Sequence, residues 1–103
     1  MRFLLKMSIP TEAGNAAIKN GSIPKKLQAI LAELKPEAAY FAADGGCRGG
    51  FIVVDIKDAS QIPAVAEPFF LAFNATVEFL PVMTPEDLMK AGPAIENAVK
   101  KYG

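Results

Sequence analysis

Histidine and tryptophan are absent from this chain, and cysteine occurs once. Without histidine there is no imidazole general base, no Ser-His-Asp or Cys-His nucleophile and no histidine-ligated metal. The single thiol, Cys47, closes no disulfide within the chain, which reads as a reduced, cytosolic protein. Long apolar runs are missing too. Lys6 cuts the opening run Phe3-Leu4-Leu5 at three residues, short of the roughly 7–15 residues of a secretory h-region. No stretch approaches the roughly 20 residues of a membrane-spanning helix. Net charge is the last absence. Eleven Lys and Arg balance eleven Asp and Glu, so nothing pulls the whole chain toward nucleic acid or an anionic membrane.

What remains is apolar material: 51% hydrophobic residues against 21% charged, too apolar for a disordered chain. At 103 residues it makes one domain. Arg2 to Ile9 reads as a strand, with Phe3, Leu5, Met7 and Ile9 on one face by period two. Pro10 ends it, and Thr11 is the expected N-cap of a helix. Asn20-Gly21-Ser22 divides the helical region. Its second piece, Ile23 to Lys35, carries the stripe Ile23, Leu27, Ile30, Leu31 and Leu34.

Glu37 to Ala43 reads as the second strand. Asp44-Gly45-Gly46-Cys47-Arg48-Gly49-Gly50, with four glycines in seven residues, reads as a loop. Phe51 to Lys57 is the third strand. A helix follows over Ser60 to Phe73, with Pro68 inside it and Ile62, Val65, Phe69 and Phe73 on one face. Asn74 suits its C-terminus. Thr76 to Val82 is the fourth strand. Thr84-Pro85-Glu86-Asp87 opens a terminal helix with a capping threonine, a first-turn proline and acids. Gly92-Pro93 is where that helix kinks or splits.

The order β-α-β-β-α-β predicts an α+β ferredoxin-like fold: a four-stranded antiparallel sheet with both crossover helices on one face. Residues 1–83 form this unit and residues 84–103 a helical extension of the same domain. The helix-facing rows are then Phe3, Leu5, Met7; Ile52, Val54, Ile56; and Val77, Phe79. Leu4, Phe51, Val53, Leu80 and Tyr40 fall on the opposite face, beside Arg2, Lys6, Asp55 and Glu78. A solvated sheet face is normally polar. This excess of large apolar groups predicts a homodimer, sheet against sheet.

The opening strand Met1-Arg2-Phe3-Leu4-Leu5-Lys6-Met7, the element order and the Gly-rich segment between strands two and three resemble the dimeric α/β-barrel superfamily. That group includes muconolactone isomerase-like proteins, YciI-like proteins and small cofactor-free monooxygenases. Ala43-Asp44-Gly45-Gly46 before Gly50-Phe51-Ile52-Val53-Val54 is similar to DUF3303-type proteins. The resemblance covers residues 1–83 and implies fold rather than chemistry. Histidine roles associated with its isomerase-like and YciI-like members have no counterpart here.

Several residues invite a chemical reading. The Gly-rich segment and Arg48 offer N–H groups and a cation to an anion, but a phosphate loop opens a helix and here a strand follows, so a hairpin connection is preferred. Cys47 beside Arg48 lacks a base to activate it. Lys6 falls between Asp55 and Glu78 in the expected strand order, either as a proton-shuttling set or as ion pairing inside an interface. Met7, Phe41, Phe69 and Phe73 line the space between sheet and helices, as a ligand pocket or as filled core.

The expectation is a cytoplasmic homodimer that binds a small apolar or aromatic ligand. It acts as a cofactor-free isomerase or monooxygenase with Tyr40, Asp55, Lys6 and Glu78 as catalytic groups, or it is a non-catalytic ligand-binding or regulatory dimer. No metal, nucleic acid or membrane is expected to take part.

Overall fold

A computed structural model describes all residues, Met1–Gly103. Strands β1 (Arg2–Ile9), β2 (Ala38–Asp44), β3 (Cys47–Asp55) and β4 (Thr76–Pro81) form one antiparallel sheet. Its order, β2-β3-β1-β4, is that of the ferredoxin-like fold. Helices α1 (Thr11–Lys19) and α2 (Ser22–Leu34) join β1 to β2. A single 3-10 turn, Ala59–Gln61, leads into α3 (Ile62–Phe73) between β3 and β4. Two further helices, α4 (Pro85–Lys90) and α5 (Gly92–Tyr102), complete the chain.

The core lies between the sheet and helices α2 and α3. Leu5, Met7 and Ile9 of β1 meet Ile52 and Val54 of β3, while Val65, Phe69 and Phe73 of α3 close over them. Leu5, Ile52 and Phe69 are fully buried. Each such side chain contributes about 1.5–3 kcal/mol relative to exposure, as an upper figure. The expected stripe of α2, from Ile23 to Leu34, packs half-buried at the margin of this core.

Local stops follow the sequence closely. Asn74 ends α3 in the left-handed region at φ 56°. Thr84 and Asp87 form a reciprocal capping box at the start of α4. The extension is two helices, divided at Ala91 just before Gly92-Pro93. Thr11 is the first residue of α1 rather than its cap. Pro10 holds the cap position, and the Gly14 N–H reaches back to its carbonyl at 2.8 Å.

One expected loop is largely strand. Of Asp44–Gly50, only Gly45 and Gly46 form the turn, at φ 61° and 82°. Positive φ at both central residues is what a two-residue type I′ hairpin demands. Asp44 then pairs with Cys47, and β3 begins four residues before Phe51. Gly49 and Gly50 stay in the ladder because neighbours crowd them. A Cβ at Gly49 would lie 2.8 Å from the Met7 carbonyl oxygen, and one at Gly50 2.9 Å from the Phe41 ring. Glycine within a strand here marks close approach rather than a loop.

Candidate functional site

Side chains alternate across a strand, so the register assigns each residue to a face. The row Tyr40, Phe51, Lys6, Glu78 crosses all four strands on the face away from the helices. The adjacent row Phe41, Gly50, Met7, Val77 lies on the helix face. Tyr40 and Phe41, like Lys6 and Met7, are therefore on opposite sides of one sheet.

Three of the four expected catalytic groups share the open face in one row. Lys6 stands directly opposite Glu78. Its Nζ bonds Asp44 Oδ2 at 2.9 Å. This bond, then the charge of Asp44 and more weakly that of Glu78, raises the Lys6 pKa above the ordinary lysine value. Together with Ser8, Cys47 and Thr76 these groups line a polar hollow of about 230 Å³. Asp55 stands apart. It is paired across the ladder with Arg2, four residues from Lys6 along β1, roughly 13 Å at the strand rise. Lys6 thus lies between Glu78 and Asp44, not between Glu78 and Asp55. The amino terminus donates to Asp55 Oδ1 at 2.8 Å and holds its carboxyl below the ordinary range. Arg2 turns to Glu37, with Nε 2.8 Å from Oε2, and its pKa rises accordingly.

The four expected pocket residues also divide. Phe69 and Phe73 are core. Met7 and Phe41 line a groove of about 360 Å³ between the β2–β3 hairpin and α2, with Ile9, Ile23 and Leu27 completing its apolar wall. Arg48 is the one charged side chain along it. Its guanidinium lies over α1 at the buried Gly14, where a Cβ would come within 2.8 Å of Nη1. Nη1 donates to Asn15 Oδ1 at 3.0 Å, and no carboxylate pairs with it. Gly50 performs the same service for Phe41, whose ring lies across it. Two glycines thus seat the two side chains that shape the groove.

The sequence reading missed Asp44 as the partner of Lys6 and Arg48 as part of the apolar groove. Both were hidden by the assignment of residues 44–50 to a loop. Reading Gly45-Gly46 as a tight hairpin turn would have placed Asp44 and Cys47 opposite each other, and Arg48 on the helix face.

A family model described as a domain of unknown function, DUF3303, matches residues 1–96. The chain belongs to the DUF3303 family. A 56-residue stretch of this DUF3303 chain, 53% of its length, is 41% identical to part of Translation factor GUF1, mitochondrial, of Homo sapiens. The protein of that name from Bos taurus is 39% identical over 56 residues. The match spans 8% of the length of each of these relatives, and their name describes the whole of a much longer protein. In this DUF3303 chain no helix is long and apolar enough to cross a membrane.

Proposed function

We propose that this protein is a non-catalytic, cytoplasmic homodimer that binds a small apolar ligand bearing an anionic group. One observation carries the reading: the apolar groove and the ionisable row lie on opposite faces of the sheet. A ligand against Met7 and Phe41 is separated from Tyr40, Lys6 and Glu78 by the thickness of the sheet. Acid-base catalysis needs the base within hydrogen-bond reach of the proton it takes. The groove instead offers apolar walls and one guanidinium with no carboxylate partner, suited to a carboxylate on an aliphatic or aromatic body.

Tyr40, Leu80, Leu4, Phe51 and Val53 on the open face form the apolar part of the dimer interface, with the Lys6, Asp44 and Glu78 group as its polar part. Each protomer then has two functional faces, one for its partner and one for the ligand.

The test is binding of octanoate and phenylacetate, with octanamide as a neutral control, followed by protein-detected NMR. The expected result is saturable shifts at Ile23, Leu27 and Phe41, a preference for carboxylate over amide, and loss of that preference in Arg48→Gln. Lys6→Gln and Glu78→Gln should bind as well as the parent. Equal affinity for acid and amide, or no saturable shift, would overturn the ligand assignment.

A further inference from the structure

The radius of gyration is 17.2 Å and the molecule measures 59 × 28 × 20 Å. A compact chain of this length has a radius near 13 Å. The excess is the C-terminal arm. Helices α4, six residues, and α5, eleven residues, make few contacts with the rest of the chain and run beyond the body of the domain.

This arm is amphipathic. Within α5, at 100° per residue, Ile95, Ala98, Val99 and Tyr102 fall in one sector about 100° wide, and Leu88 is an exposed apolar residue of α4. Glu96, Asn97 and Lys100 occupy the other side of α5. The large members of the stripe are uncovered: Leu88 is 51% exposed, Ile95 51%, Val99 62% and Tyr102 85%. Helices of this length are marginal without a surface to pack on. The second uncovered apolar surface is the open sheet face, with Tyr40 and Leu80 exposed. Leu80 leads directly into Met83, also exposed, at the root of the arm.

We infer that the arm clasps a second copy of this chain, laying the stripe Leu88, Ile95, Val99 and Tyr102 on the partner's open sheet face. The inference rests on the dimer reading and names what covers the open face in that dimer: the partner's arm rather than the partner's sheet. Three features favour a second copy as the occupant. The eleven residues of α5, about 16 Å of helix, fit along an eight-residue strand of roughly 27 Å. Charges are complementary: Lys101, flanking the stripe at the arm tip, has no acidic partner, and Glu78 on the sheet face has no basic one within ion-pair distance. Two-fold symmetry places two arms and two sheet faces in one assembly, so each uncovered surface is used twice. That brings the contact toward the roughly 800 Å² per partner of a stable interface.

Sedimentation of Ile95→Glu/Val99→Glu beside the parent chain tests this. Neither side chain contributes to the core, so circular dichroism should show the domain still folded. The expected result is a dimeric parent and a variant whose dimer dissociation constant rises about a hundredfold or more. A second experiment places the contact. In a Cys47→Ser background, Tyr40→Cys combined with Val99→Cys should form an intermolecular disulfide under mild oxidation, and each single cysteine should form far less. A parent dimer unaffected by the arm variant, or no cross-link from the double cysteine, overturns the clasp and leaves the dimer standing. A monomeric parent overturns both.

Discussion

Replacing Gly14 by alanine should separate stability from ligand binding. Gly14 is the only buried residue of α1. Alanine inside a helix is favoured over glycine by about 0.8–1.0 kcal/mol. The added Cβ would meet Arg48 Nη1 at 2.8 Å, Ile9 Cγ2 at 3.4 Å and Arg48 Cδ at 3.5 Å. The tightest contact is with the far end of a flexible side chain, so Arg48 can swing away. Doing so breaks its solvent-exposed, screened bond to Asn15, worth at most about 1 kcal/mol. The two terms nearly offset, leaving a net change between zero and about 1 kcal/mol in favour of the fold. For a domain of this size that raises the thermal midpoint by up to roughly 4–8 °C. Arg48 meanwhile no longer sits over α1 beside the groove, and octanoate affinity should fall several-fold while octanamide affinity holds. Calorimetry of the unliganded protein and a titration with each ligand measure the two effects. A midpoint lowered by several degrees would refute the view that only a flexible side chain occupies the space. Unchanged octanoate affinity would refute a role for the position of Arg48.

Other perturbations test the fold and its electrostatics. Phe69→Ala removes a fully buried ring and should cost about 3–5 kcal/mol in a urea titration. Gly46→Val forces a β-branched residue to φ 82° and should destabilise the hairpin by about 1–3 kcal/mol, with weakened amide protection at Cys47 and Arg48. Asp87 is held below its ordinary value of 3.8, first by the Thr84 N–H and then by the Thr84 hydroxyl. Because the unfolded arm takes up this proton first as pH falls, the cap's contribution is complete above about 3.8 and is lost below it through the folded value. Acid titration followed at 222 nm should show this loss in the parent, and Asp87→Asn should abolish that part of the profile.

Much of this architecture was legible because local signals agreed with one another. Period-two alternation in Phe3-Leu4-Leu5-Lys6-Met7 named both faces of β1. Asn74 and Thr84-Pro85-Glu86-Asp87 marked helix boundaries through their own side-chain chemistry. The Gly-rich segment misled for a physical reason: glycine serves turns through positive φ and strands through lack of a side chain, and composition alone does not distinguish them. Gly45 and Gly46 do the first, Gly49 and Gly50 the second. The separation of the candidate groups onto two faces was already implicit in the sequence, since Tyr40-Phe41 and Lys6-Met7 are adjacent pairs on strands. The exposure of the arm was not legible. An amphipathic stripe looks the same whether its cover belongs to its own chain or to another.

Native mass spectrometry of the purified protein tests the central claim most directly. The expected species is a dimer near twice 11.0 kDa that gains the mass of octanoate when titrated with it, up to one ligand per protomer. A monomer that retains no carboxylate would contradict it.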